Sequence, residues 1–228
     1  WQEVMGLKVP VRTGFVATAE SIASFHPDFV IVATGATPKP APFDVSQISG
    51  RIGVFHAWDY LRNAGEIKNG SRVTVAGGGM VGLEVADLLA AHDCAVTVIE
   101  PLPQMAPGMP RNNRMELLDR LTEKRARLWT KTEVLKAEGE VLNIRTDAGD
   151  KQVDIGDCLI IATGSNPNHD TLALLKDAHV DYVLVGDCYK PRDFLSCIRD
   201  ASMVAFSIDH RFSRSSCNPG VARIGGSL

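Results

Sequence analysis

Residues 72–86 read Arg72-Val-Thr-Val-Ala-Gly77-Gly78-Gly79-Met80-Val81-Gly82-Leu83-Glu84-Val85-Ala86. A β-branched run meets a cluster of the form G-x-G-x-x-G, and helical spacing starts at once. Val81, Val85, Leu88 and Leu89 then recur at one face of a helix. A second apolar run, Ala95-Val-Thr-Val-Ile99, closes on Glu100. Strand, glycine turn, helix, strand and terminal carboxylate together predict a dinucleotide-binding βαβ unit.

Each part has a physical task. Gly77 permits a tight turn, Gly79 lets the backbone approach a pyrophosphate, and Gly82 lets the helix lie close on the strands. Met80 and Val81 bring the first helix N–H groups, whose partial positive charge suits a diphosphate. Glu100 would accept hydrogen bonds from ribose hydroxyls and repel a 2′-phosphate. Pro101, Leu102 and Pro103 follow it, with no adjacent base, so NADH is expected over NADPH; Arg111 and Arg114 further along moderate that preference. A glycine cluster alone also opens many helices for structural reasons, and that reading stays open for the motif by itself.

Working outward, Asp28-Phe-Val-Ile-Val-Ala33-Thr34-Gly35-Ala36-Thr37-Pro38 is repeated as Asp157-Cys-Leu-Ile-Ile-Ala162-Thr163-Gly164-Ser165-Asn166-Pro167. Such a repeat predicts two similar nucleotide domains, each with this strand buried on both faces of a parallel sheet. Between the copies, residues 101–110 hold four prolines and read as loop, and 112–125 resume helical spacing through Met115, Leu118 and Leu121. Segments 128–132, 134–137, 141–146 and 152–155 read as an antiparallel β-meander. Residues 8–18 read as one or two short strands, 19–25 as a short helix and 38–53 as a surface linker. A helix is expected near 55–62. After Tyr182-Val-Leu-Val-Gly186-Asp187, expected as a buried strand, a helix spaces Leu195, Ile198, Ala201, Ala205 and Ile208 along one face. From Ser213 the tail is Ser/Gly-rich and expected to fray.

The bulk numbers narrow the class. With 228 residues the chain holds one large or two small domains. A net charge of −3 disfavours nucleic acid or an anionic membrane as main partner. No apolar run approaches the length of a membrane span, and no secretory signal is visible. Five cysteines, at 94, 158, 188, 197 and 217, form no close pair, which points to a reducing, cytoplasmic setting. The six histidines are scattered, so no metal site is expected. The first residue is Trp1, in what reads like a helix end, as in a fragment of a longer polypeptide.

Taken together, Gly77–Gly82 with Glu84, the two Ala-Thr-Gly turns at 33–35 and 162–164, and Gly186-Asp187 resemble the glutathione-reductase-like two-dinucleotide flavoproteins. The run Gly186-Asp187-Cys188-Tyr189-Lys190-Pro191-Arg192 is similar to the C-terminal half of the NADH:flavin oxidoreductase/2-enoate reductase/2,4-dienoyl-CoA reductase family. That resemblance implies an NADH-binding domain at 66–168 inserted into an FAD-binding domain formed by 1–65 and 169–228. It places Gly35 near FAD, Asp187 on flavin ribityl or phosphate-side oxygens beside Gly186, Gly164 beside the nicotinamide, and Glu84 facing it. Two plainer readings stay open: Glu84 as a carboxylate favoured by the helix dipole, and Asp187 as a strand-ending turn and cap. FMN and a 4Fe–4S cluster would belong to a TIM barrel preceding this stretch.

The departures are informative. No G-x-G-x-x-G turn lies upstream of residue 28, so the FAD half is incomplete, and no redox cysteine pair follows a first helix. The expected function is an electron-input module passing hydride from NADH to FAD, with no side chain nominated as catalytic acid or base. The alternatives are a module that holds ADP or NAD structurally without turnover, and a single-domain dehydrogenase. The last lacks a Y-x-x-x-K pair and leaves the Ala-Thr-Gly repeat unexplained. An oligomer is compatible with all three.

Overall fold

In the computed structural model, residues 2–63 and 67–213 are described. Trp1, Cys217, the Ser/Gly-rich tail and the expected boundary at 65/66 lie outside them. The chain opens with α1 (Gln2–Gly6), α2 (Ala19–Ser24), β1 (Val30–Val32) and β2 (Ala36–Pro38). β3 (Gly53–His56), α3 (Ala57–Arg62), β4 (Arg72–Ala76), α4 (Met80–Ala91), β5 (Ala95–Ile99), α5 (Arg111–Glu123) and β6 (Arg127–Trp129) follow. Then come β7 (Glu133–Glu138), β8 (Val141–Thr146), β9 (Gly149–Asp154), β10 (Cys158–Ile161) and β11 (Ser165–Pro167). The chain closes with α6 (Leu172–Asp177), β12 (Tyr182–Leu184), a 3-10 turn (Gly186–Cys188) and α7 (Phe194–Ser213).

These elements form two compact units, residues 38–165 and residues 1–37 with 166–228. In the first, a five-stranded parallel sheet runs β3-β10-β4-β5-β6. Alternation along each strand sends side chains to opposite faces. Val73, Val75, Val96, Val98 and Ile160 pack with Leu83, Val85, Leu89, Leu117 and Leu121 of α4 and α5. Ala76, Ile99, Leu159 and Ile161 pack instead with Leu142 and Ile144 of the β7-β8-β9 meander. The result is helices, parallel sheet and antiparallel meander in layers. It is an α/β Rossmann-like fold.

The other unit is slighter. β1 pairs in parallel with β12, and its fully buried apolar cluster among the described residues is Val32, Leu175 and Cys188, with Ile22 and Leu172 packed around it. The capping box at Thr18 and Ser21 starts α2. β2 and β11 form a separate two-stranded ribbon. Among the described residues no helix is long and apolar enough to cross a membrane.

Several sequence expectations are corrected. Residues 8–18 form no strand: Val9, Val11, Phe15 and Val16 are exposed and find no ladder partner, and β propensity without pairing fixes nothing. Gly53–His56 is a strand because β10 pairs with it, so the helix starts only at Ala57. β6 does not belong to the meander. It follows the α5 crossover and extends the parallel sheet beyond β5. α5 buries Leu117 and Leu121 while Met115 is exposed. β1 is not covered on both faces, since Ile31 is 48% exposed, and β12 is only half-buried. α7 presents Leu195, Ile198, Ala201 and Ala205 to solvent, whereas Ser196, Cys197, Asp200 and Val204 are half-buried; of the expected face, Ile208 is half-buried as well.

Candidate dinucleotide site

The glycine turn sits where β4 ends. The N–H of Gly77 donates to the Ile99 carbonyl at 2.8 Å, which ties the turn to the neighbouring strand. Gly77 has φ +108°, and a Cβ there would press into the Ala162 carbonyl of the Ala-Thr-Gly turn. Gly82 is equally constrained, because a Cβ on it would overlap the Gly77 carbonyl. The first turn of α4 is thus packed directly on the glycine loop.

Gly79 differs. It is the N-cap of α4 with an extended backbone, no side chain caps the helix, and a Cβ added to it would meet no atom within 4 Å. The free space above Gly79, next to helix amides claimed by no side chain, fits a phosphate oxygen. Met80 and Val81 occupy the first turn and are half-buried, and Glu84 is exposed on the same helix.

Glu100 is 6% exposed at the end of β5. Its two carboxylate oxygens accept from the N–H groups of Gly78 at 2.7 Å and Leu102 at 2.8 Å. A cleft of about 460 Å³ opens beside it, lined by Phe43, Gly77, Ile99, Glu100, Leu102, Thr132, Thr163 and Gly164 among others. Gly77, Glu100 and Gly164 therefore converge on one cavity at the C-terminal ends of parallel strands, where such sheets place their ligands.

Two contributors escaped the sequence reading. Gly78 is held by Glu100 and by the Ala106 N–H, which donates to the Gly78 carbonyl at 2.7 Å. Met105 is buried where a Gly78 side chain would fall. The proline-rich loop 101–110 thus fastens down the glycine turn. The signal was the middle of three consecutive glycines, Gly78, which G-x-G-x-x-G does not demand.

In the other unit, Gly35 and Gly186 both have positive φ, at +73° and +65°. The Gly35 carbonyl accepts from Asn168 N–H at 2.9 Å, and Gly186 N–H donates to Asp200 at 3.2 Å. Asp200 is also ion-paired with Arg192. Asp187 is half-exposed, and its Oδ1 accepts from Arg192 N–H at 3.1 Å and from the Cys197 thiol at 3.5 Å. Partial burial, and then that neighbouring carboxylate, push the Cys197 thiol above its ordinary pKa.

With this geometry in view, the comparisons with known proteins decide the family. The sequence profile of the pyridine nucleotide-disulphide oxidoreductases matches residues 11–185. The chain belongs to that family. Its members bind FAD and NAD(P)H. Among curated relatives of this family member, the bilirubin reductase of Mediterraneibacter gnavus is 34% identical over 186 residues, covering 82% of this chain and 28% of the relative. The NADH oxidase of Thermoanaerobacter brockii is 29% identical over 205 residues, covering 88% and 31%. The chain thus spans about a third of the length of these relatives. Among solved structures, a 2-naphthoyl-CoA reductase complex superposes with a TM-score of 0.73 at 22% identity, over 87% of this chain and 30% of that one. The histamine dehydrogenase of Rhizobium sp. 4-9 gives 0.69 at 15%, over 100% and 37%. At these identities the structural likeness shows the shared fold.

Proposed function

We propose that this chain is the NADH-binding, electron-input part of a flavoprotein reductase of the NADH:flavin oxidoreductase/2-enoate reductase/2,4-dienoyl-CoA reductase type. The observation that carries the reading is the single cleft shared by Gly77, Glu100 and Gly164, with the open space over Gly79 beside it. The pyrophosphate would lie on Gly79, Met80, Val81 and Gly82, and the adenine ribose on Glu100. Gly164 and Glu84 would flank the nicotinamide. FAD, when bound, supplies the hydride acceptor, and Gly35, Gly186 and Asp187 are the residues proposed to hold it.

Other features support NADH as the reductant. Glu100 keeps its carboxylate at the position a 2′-phosphate would occupy. Arg114 is engaged when the Gln104 carboxamide turns its oxygen to the guanidinium, at 2.7 and 2.8 Å. The division proposed is an NADH-binding part at 66–168 within an FAD-binding part at 1–65 and 169–228. Relatives called NADH oxidase, cinnamate reductase and bilirubin reductase support a reductase, and their greater length leaves room for a further portion; we assign acceptor reduction, with FMN and a 4Fe–4S cluster in a barrel, to that portion.

The test is to denature the purified chain, identify released nucleotide by mass, and titrate NADH by nicotinamide fluorescence before and after adding FAD. Saturable NADH binding, with FAD-dependent dye reduction, is the expected result. ADP binding as tight as NADH binding, with no dye reduction in the presence of FAD, would overturn it in favour of a structural nucleotide module.

A further inference from the structure

The parallel sheet of residues 38–165 has a second concave end. β4 and β5 run from Arg72 and Ala95 toward Gly77 and Glu100, so the nucleotide cleft lies at their C-terminal ends. At their N-terminal ends a separate cavity of about 240 Å³ opens, and every residue lining it belongs to this one unit.

Strand alternation decides which side chains reach it. Ala76, Ile99 and Trp129 pack toward the meander, so Arg72, Thr74, Thr97 and Arg127, an even number of residues earlier, share that face. Register sets Thr97 beside Thr74 on one side and beside Arg127 on the other. The end of β9 supplies the opposite wall: the Thr74 hydroxyl donates to the Ile155 carbonyl at 2.8 Å, and Asp154 stands next to it. Arg125, just past α5, completes the lining.

The charges there do not cancel. Arg72, Arg125 and Arg127 share the lining with a single acid, Asp154, in a chain whose net charge is −3. That acid is already matched. It accepts from the Arg72 guanidinium and, at 2.8 Å, from Gly156 N–H, while Arg72 also reaches Asp157 at 3.4 Å. Among the described residues the guanidinium groups of Arg125 and Arg127 have no hydrogen-bond or ion-pair partner, and neither has the half-buried Thr97 hydroxyl. Two guanidinium forks and a hydroxyl are a donor set for a tetrahedral oxyanion. The cavity is smaller than the roughly 300–1,000 Å³ of a drug-sized pocket, which suits one phosphate group rather than a whole dinucleotide.

We infer that this cavity is an anion site for a phosphate group, free or as a monoester, held by Arg125, Arg127 and Thr97, with Arg72 holding Asp154 out of the way. The site is built from side chains rather than from helix amides, and it stands independently of the nucleotide reading.

The test is a titration of the full chain with inorganic phosphate at constant ionic strength, followed by amide chemical shifts. Saturable shifts at Thr97, Arg127 and Gly156 are expected. Arg127→Gln and, separately, Arg125→Gln should each weaken them by about tenfold. Both positions are exposed, so distant amides and the unfolding curve should not move. Adenosine 5′-monophosphate, with adenosine as the uncharged control, distinguishes the sources: tighter binding than phosphate at Thr97 makes a monoester the ligand, and weaker binding makes it free phosphate. Shifts confined to Gly79 and Met80 would place the anion on the glycine turn and overturn the inference. So would equal shifts with chloride, or unchanged affinity in both arginine variants.

Discussion

Gly77 and Gly79 lie two residues apart and answer to different constraints. At Gly77 a side chain meets both a left-handed backbone and the Ala162 carbonyl. Gly77→Ala should therefore destabilise the fold by roughly 2–5 kcal/mol, measured by denaturant unfolding. At Gly79 neither obstacle exists. Gly79→Ala should leave stability within about 0.5 kcal/mol yet weaken NADH by about tenfold or more, because only the ligand competes for that space. An unchanged NADH titration for Gly79→Ala would sink the proposed pyrophosphate position. Glu100 combines a structural role with the proposed contact to the ribose. Glu100→Ala strands the N–H groups of Gly78 and Leu102 and should cost roughly 2–5 kcal/mol. Glu100→Gln keeps one acceptor and should cost about half that, which paired unfolding curves will resolve. These positions were legible because G-x-G-x-x-G encodes a backbone shape in consecutive letters. Met105 and Ala106 were not, since their contact with Gly78 is made across a loop whose path no local pattern states.

Among the elements, strands flanked by strong turns were readable and faces were less so. β4, α4 and β5 announce themselves through periodicity and a glycine boundary. For α7 the apolar spacing named the exposed face. The helix is oriented by polar ties instead: Asp200 to Gly186 N–H and to Arg192, and Cys197 to Asp187. Hydropathy has no term for such anchors. The start of α7 yields a pH prediction. Asp193 accepts from Ser196 N–H at 2.6 Å, and that bond holds its carboxyl below the ordinary range. A depressed pKa means the cap is fully in force above about pH 4 and is lost as pH falls through the lowered value. Ser196 amide protection should follow that course. Asp193→Asn, which caps without titrating, should flatten it; an unaltered acid profile in that variant would show that the cap is not responsible.

The whole molecule carries two units of unequal core. Residues 38–165 hold two large apolar clusters on either side of a five-stranded sheet, whereas the other unit closes on a small cluster around Val32, Leu175 and Cys188. Unfolding should therefore proceed in two steps, the smaller unit first. NADH at a hundredfold its Kd should stabilise only the later step, by about 2.7 kcal/mol. A single transition shifted as a whole by NADH would contradict this. The Ala-Thr-Gly repeat made the twofold organisation legible, but the sequence carries no sign that Ile31 lies open, because exposure depends on what stands beside a strand.

The fastening of the glycine turn by Glu100, Ala106 and the Ile99 carbonyl has a kinetic consequence. Its shape is set before any ligand arrives, so association needs no ordering step and should run near the diffusional rate for a small anion. Discrimination between nicotinamide dinucleotides would then be expressed in how long each stays rather than in how fast each enters.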